Sequence, residues 1–311
     1  MRNKFVLVLP ILLLVTVFTS QALPLVAIAN YGPHTSLEDS ITGIKKELAL
    51  QGYIEHKNIA YLIVDVGFDT ALIPQMISNL KSKHPTVIVA QATPVAQFAK
   101  HAVKDIPLVF TAITDPVAAG LDDVSGSSDR QNLRAMLQFA KLLLPQAKRV
   151  GLLYSTAEAN DLALVSMMKA ATAAEGMQLL CIPVEHTRDV PLRMQAFNGK
   201  VDIIYVGVSG VVQPSLPAIA ASAKKMGIAV FNADFVAVKQ GQVLASFGVD
   251  YQAVGMNAGK LVAQVLRGAE VYKAEPIYPS LKDHKGYISQ AKAKELGLKI
   301  SVGLPNATIV E

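Results

Sequence analysis

Two neighbouring stretches decide the fold: Thr86-Val87-Ile88-Val89-Ala90-Gln91-Ala92-Thr93-Pro94, and Leu108-Val109-Phe110-Thr111-Ala112-Ile113-Thr114-Asp115-Pro116. Each begins as a short, continuously apolar run rich in β-branched residues, the pattern of a strand buried on both faces. Each ends in small hydroxyl residues and proline. Thr93 suits the N-cap of a helix and Pro94 its first turn. The intervening residues, Val95–Val103, carry a helical period. Strand, loop, helix, strand is the unit of a parallel sheet with right-handed crossovers.

The same unit recurs in both directions along the chain. Apolar runs occur at Leu25–Ala29 and Ala60–Val64, then at Val150–Tyr154, Gln178–Val184, Ile203–Val206, Ala229–Phe231 and Val243–Phe247. Helical patterns lie between them at Ser36–Leu50, Thr70–Lys83, Arg130–Leu144, Asn160–Glu175, Pro191–Phe197, Ser215–Met226 and Gln252–Arg267. In the first of these, Ile41, Ile44, Leu48 and Ala49 share one face while Lys45, Lys46 and Glu47 point away. Gly52, Gly176, Gly227 and Gly268 follow helical stretches where a left-handed cap favours glycine. The alternation breaks near Val117–Asp129, a polar and glycine-rich segment taken as the first crossing between two lobes. A late strand (Gly286–Ser289) and helix (Gln290–Leu296) suggest that the chain recrosses. The expectation is an α/β protein of two doubly wound parallel-sheet lobes joined by hinge crossings. Residues 1–22 form a signal peptide. The N-terminal lobe takes 23–116 plus about 248–274, and the C-terminal lobe 117–247 plus about 275–311.

Composition narrows the function classes. Of 311 residues, 51% are hydrophobic and 17% charged, so a large core is easily built. Residues Phe5 to Phe18 are almost entirely apolar behind a cationic start at Arg2 and Lys4, and Ser20-Gln21-Ala22 has the small-residue form of a cleavage site. Removing that segment takes two of the 29 basic residues, leaving 27 against 24 acidic ones. No run of Lys and Arg concentrates the remaining charge, so no nucleic-acid footprint is present. Cys181 is the single cysteine. It excludes an internal disulfide and lies too far from the cleavage region to be lipidated, so a soluble periplasmic protein is expected rather than a lipoprotein. It sits in an apolar run, where a buried, inert thiol is the default.

Catalytic and metal signatures are missing. The six histidines are scattered, with no His-Glu-x-x-His arrangement, and no phosphate-binding glycine loop follows a strand. Gly207-Val208-Ser209-Gly210 lacks the spacing of a nucleophile elbow. No enzyme activity, catalytic residue, metal or cofactor is expected.

The strand ends carry polar residues instead. In doubly wound sheets ligands bind beyond the carboxyl ends of the strands, where helix N-termini present N–H groups. Tyr31 follows the first strand, Ala92, Thr93 and Pro94 the third, and Thr111, Thr114 and Asp115 the fourth. Glu158, Ala159 and Asn160 follow Val150–Tyr154, and Asp234 follows Ala229–Phe231. Hydroxyls and N-terminal N–H groups suit a carboxylate, while Glu158 or Asp234 suits an amine. Tyr31, Phe235 and Phe247 are candidates for an apolar slot.

These segments resemble the ABC transporter substrate-binding proteins of the tryptophan/tyrosine-binding type, which have the type I periplasmic fold. The most specific pieces are Ala92-Thr93-Pro94 and Ile106–Leu121, within which Thr114-Asp115-Pro116-Val117-Ala118-Ala119-Gly120-Leu121 is already unusual. Leu144-Pro145-Gln146-Ala147-Lys148-Arg149-Val150-Gly151, Glu158-Ala159-Asn160 and Val201–Val206 also match. The resemblance implies capture of a small solute, often an aromatic amino acid, between hinged lobes. It implies delivery to an ABC permease and its ATPase; the protein itself is expected to be a monomer. It casts Thr93, Pro94, Thr114, Asp115 and Glu158 to Asn160 as pocket residues, with Asp234 near the ligand's amine. Where the family has an Asp-Asn type pair, this chain has Ser209 and Gly210, which removes one charged amine partner. The crossing loop is also shorter. A ligand-sensing periplasmic module that signals to a membrane receptor is the alternative reading of the same fold.

Overall fold

The computed structural model describes residues 23–269, 275–300 and 307–311. The expected signal peptide, residues 1–22, lies outside the described residues. Among the described residues, strands and helices alternate through β1 (Leu25–Asn30), α1 (Thr35–Leu50), β2 (Ala60–Asp65), α2 (Ile73–Lys81), β3 (Val87–Gln91), α3 (Thr93–Ala102), β4 (Leu108–Ile113) and β5 (Gly126–Ser128). The order continues with α4 (Leu133–Leu143), β6 (Arg149–Tyr154), α5 (Ala159–Ala174), β7 (Gln178–Pro183), α6 (Val190–Arg193), β8 (Ile203–Val206), α7 (Leu216–Met226), β9 (Ala229–Asn232), α8 (Val236–Lys239) and β10 (Ala245–Val249). Helix α9 (Tyr251–Leu266), β11 (His284–Ser289), α10 (Gln290–Glu295) and β12 (Ala307–Val310) complete it.

The strands form two sheets. The first has the order β2-β1-β3-β4-β5 and is parallel throughout; the second runs β12-β11-β10-β9-β8-β6-β7. Its one antiparallel pair joins β10 to β11, with Ala245 opposite Ile288 and Val249 opposite His284. This reversal is absent from the sequence reading, because β11 returns from a segment that begins on the other sheet.

Alternation within each strand feeds two helical layers. In β1, Ala27 and Ala29 pack with Ile77, Leu80 and Val95 from α2 and α3, whereas Val26 and Ile28 pack with Ile44, Leu48 and Val262 from α1 and α9. In β8, Ile203 and Tyr205 face Met136 and Met168, whereas Ile204 and Val206 face Ile219 and Val190.

The chain passes between the sheets three times: at 129–132 after β5, at Asp250 between β10 and α9, and at 278–283 before β11. The polar stretch read as the first crossing therefore ends on the first sheet. Gly126–Ser128 pairs with β4, and Ile277 bridges to Ser127 from the returning segment. Helix α9 lies tightly on α1. A Cβ on Gly255 would stand 1.9 Å from the Ser40 carbonyl oxygen, and one on Gly43 would stand 2.1 Å from that of Gln252. Only glycine permits that approach. Cys181 is half-buried, because β7 is an edge strand, and its thiol is free.

Candidate ligand-binding site

A cavity of about 570 Å³, its open mouth included, lies between the carboxyl ends of the two sheets. That is the size range of small-molecule sites. The first sheet contributes Tyr31 and His34 after β1, Phe68 after β2, Ala92, Thr93 and Pro94 after β3, Ala112 from β4 and Thr114 just after it. The second contributes Asn160 from α5 and Val208, Ser209, Gly210, Gln213 and Pro214 after β8. Asp129 and Tyr251 come from two of the connections between the sheets.

Eight of the residues named from the sequence thus meet at one cavity: Tyr31, Ala92, Thr93, Pro94, Thr114, Asn160, Ser209 and Gly210. The other five sit beside or beneath it. Thr111 is fully buried, its hydroxyl 3.1 Å from that of Ser40, and ties β4 to α1. Asp115 pairs with Arg130 at the edge of the crossing. Ala159 opens α5 without lining the space. Asp234 accepts from Val236 N at 2.9 Å and lies 3.7 Å from His34 Nε2.

Glu158 stands directly behind Gly210. Its carboxylate accepts from Gly210 N at 3.0 Å, Ser209 Oγ at 3.1 Å and Tyr31 Oη at 3.4 Å. Burial raises its pKa, and these donors oppose the rise. Asp161, one turn on, is pushed up to about 7 by burial and by the neighbouring Glu158. The Tyr31 bond joins the end of β1 to the start of α5, so it spans the two sheets. His34 beside Asp234 and Gln213 makes a second such bridge. Gly210 allows the Glu158 arrangement, since a Cβ there would lie 2.6 Å from Glu158 Oε1 and 2.7 Å from Tyr31 Cε1.

Two long helices open onto the cavity without a side-chain cap. Helix α3 has Ala92 at its N-cap and α5 has Glu158, and neither side chain bonds to the first turn. Uncapped N–H groups and the positive end of the helix dipole attract a carboxylate. Each helix belongs to a different sheet. Helix α1 differs, since His34 Nδ1 accepts from Ser36 N at 3.3 Å.

Asp129 supplies the opposite charge. It is 2% exposed; Oδ2 accepts from Tyr251 Oη at 2.7 Å, and Oδ1 has no hydrogen-bond partner. Burial raises its pKa, with the Tyr251 and Thr114 hydroxyls opposing. An unsatisfied carboxylate oxygen on a cavity wall is costly unless a cationic donor reaches it. Asn160 Oδ1 is likewise unpartnered.

The remaining wall is apolar. Phe68 meets Tyr31 edge to face at 5.3 Å between ring centres, with Leu37, Val208 and Pro94 beside them. Phe68, Ala92 and Ala112 all have positive φ (66°, 72° and 56°), a conformation L-residues rarely adopt. Three such residues on one cavity wall fit the clustering of backbone strain at binding sites. Of the three aromatic residues named for the slot, Tyr31 lines the cavity. Phe247 packs in the second core against Phe139, and Phe235 stacks on Tyr287 elsewhere. Asp129, Phe68 and Tyr251 were missed. Asp129 has the only usable signal, an acidic residue closing the polar crossing.

Residues 25–306 match the family model described as ABC transporter substrate binding protein. The chain belongs to that family. A curated relative from Clostridioides difficile (strain R20291), described as a tyrosine-binding protein, is 30% identical over 79% of this chain and 73% of its own length. Among solved structures, the ABC domain in complex with L-Trp from Streptococcus pneumonia is 27% identical. Its TM-score is 0.86, covering 93% of this chain and 100% of that one. The ligand-free, open structure of a substrate-binding protein with adhesive properties from Clostridium difficile is 28% identical. It has a TM-score of 0.72 over 93% of this chain and 99% of that one. More distant neighbours include a solute-binding protein with bound myo-inositol, at 13% identity and a TM-score of 0.62, and share the type I periplasmic binding protein fold.

Proposed function

We propose that the protein captures a small solute carrying both a carboxylate and an ammonium group, with aromatic amino acids the favoured class, by closing two lobes over it. One observation carries this reading. Two uncapped helix N-termini from opposite sheets and the unpartnered oxygen of Asp129 face the same cavity. The helices receive the carboxylate from both sides, Asp129 takes the ammonium, and Phe68, Tyr31 and Val208 hold an apolar side chain. Asp129 thereby fills the amine-binding part assigned from the sequence to Glu158 or Asp234, whose carboxylates are engaged by protein donors.

Ligand stabilises closure through contacts that neither lobe can make alone. The bridges Tyr31–Glu158 and His34–Asp234 support reading this arrangement as closed, as does the greater likeness to the L-Trp complex than to the open relative. The hinge is formed by the connections at 129–132, Asp250 and 278–283. The protein then presents its cargo, as a monomer in the periplasm, to an ABC importer's permease with its ATPase, without chemical change to the solute. No helix of the described residues is long and apolar enough to cross a membrane.

The test is a thermal-shift and calorimetric comparison of L-tyrosine and L-tryptophan with 3-(4-hydroxyphenyl)propionate and tyramine. A ligand at 100 times its Kd adds about 2.7 kcal/mol of stability. Saturable binding of the zwitterions with loss for both truncated analogues is expected. Equal binding of the analogues, or binding of uncharged sugars instead, defeats the reading.

A further inference from the structure

A second cavity, of about 630 Å³ with its mouth, shares no lining residue with the first. Its floor is the β10–β11 pair. Ser246 stands opposite Tyr287 and Gly248 opposite Lys285, so these residues present one face of the sheet while Phe247 turns into the core. Its rim comes from the other sheet's helices: Asp39 on α1 and Gln252 at the start of α9.

Two observations point to an occupant. Ser246 is 1% exposed and lines the cavity, yet its hydroxyl has no hydrogen-bond partner. Asp39 makes no hydrogen bond or ion pair among the described residues. Burial raises its pKa, and so do Asp234, Asp250 and Glu38, with Lys239 opposing. Negative potential therefore converges on a carboxylate that has no partner. The nearby cations are already engaged: Lys285 Nζ holds Asp250 Oδ2 at 2.7 Å, and Lys239 Nζ lies 4.5 Å from the centre of the Phe235 ring. Phe235 and Tyr287, stacked at 5.0 Å, close one wall with apolar aromatic surface that suits the carbon chain of an organic cation. Among the described residues no group of three His, Cys, Asp or Glu side chains could hold a metal ion, so the chemistry fits an organic cation better than a metal.

We infer that this cavity is a second binding site, for a small primary ammonium compound that donates to the Asp39 carboxylate and the Ser246 hydroxyl beside the Phe235–Tyr287 wall. Because Asp39 and Ser246 belong to different sheets, its occupant braces them against each other. The inference does not rest on the identity of the solute proposed for the first cavity.

The test uses n-butylammonium chloride, with sodium chloride and n-butanol as controls, read by calorimetry and by chemical-shift changes. Saturable binding of the ammonium alone is expected. Asp39→Asn weakens it about tenfold or more, and Ser246→Ala a few-fold, as for a charged and a neutral hydrogen bond. Asn160→Ala, in the first cavity, leaves it unchanged. Absence of saturable binding, full retention in Asp39→Asn, or loss in Asn160→Ala overturns the inference. Should Ser246→Ala fail to fold, Asp39→Asn at the half-exposed rim decides alone.

Discussion

Gly210→Ala tests closure most directly, because the Tyr31 share of its cost falls on one state. The new methyl carbon would sit 2.6 Å from Glu158 Oε1, 2.7 Å from Tyr31 Cε1 and 3.1 Å from Tyr31 Oη. Glu158 is held by Gly210 N and Ser209 Oγ within the same lobe, so it cannot swing far without breaking both bonds. Tyr31 must yield instead, and Tyr31 reaches across from the other sheet. Overpacking of this kind costs about 1–3 kcal/mol. In the proposed open state Tyr31 is withdrawn and its share of the clash is relieved, while the contact with Glu158 Oε1 in the same lobe is common to both states. The cost therefore appears in binding, as an affinity loss of about fivefold to over a hundredfold. Calorimetry with the tightest zwitterion measures the loss, and small-angle scattering checks that the variant remains extended when ligand is added. The unliganded variant should lose less free energy in urea unfolding than it loses in binding, since only the Glu158 contact persists there. Unchanged affinity, or a loss of affinity matched by an equal loss of unliganded stability, refutes the reasoning.

Asp129→Asn keeps an acceptor for Tyr251 while removing the charge. It should weaken amino-acid binding by about tenfold or more but leave 3-(4-hydroxyphenyl)propionate unaffected; equal losses for both would remove Asp129 from the amine site. Gly255→Ala drives a methyl group against the Ser40 carbonyl 1.9 Å away and should lower stability by about 3 kcal/mol or prevent folding. A urea midpoint within about 0.5 kcal/mol of the parent would show that α1 and α9 separate easily. Asp161 keeps its proton in the folded state up to about pH 7, against an ordinary 3.8. Across that window the unfolded chain releases a proton that the folded chain retains, so stability falls as pH rises and levels off above about 7. Glu158 shifts in the same direction. Asp161→Asn should flatten the difference between urea midpoints at about pH 5 and pH 7; an unaltered slope would clear the pair of this role.

The strands of both cores were legible because they are fully buried, and full burial writes itself as unbroken Val, Ile and Leu. Strand β5 was not, for it consists of Gly126, Ser127 and Ser128 and owes its place to backbone pairing with β4 rather than to side chains. The loops after β1, β3 and β6 could be found because every such loop in this fold points to one end of its sheet, while the loop after β8 was reached through the family resemblance. Which polar atoms in them remain free could not, since that depends on partners distant in sequence. Glu158 looked available from its position, yet Ser209 and Gly210, some fifty residues on, fill one of its oxygens and Tyr31 meets the other. Asp129 looked like loop chemistry, yet its carboxylate keeps one unmatched oxygen because Tyr251, far downstream, supplies a single donor. Phe68 was hidden by its own backbone, as nothing about an aromatic residue announces a positive φ.

The embrace of α1 by α9 also sets an order of events during synthesis. A ribosome delivers residues 25–113 first, but the layer that covers Val26, Ile28, Val87 and Val89 includes Leu261 and Val262. That side of the first sheet is covered only in part, by α1, until well over a hundred further residues have emerged, including most of the other sheet. The early half therefore cannot mature as a self-standing unit. It waits, with hydrophobic surface uncovered, for its last helix to come back.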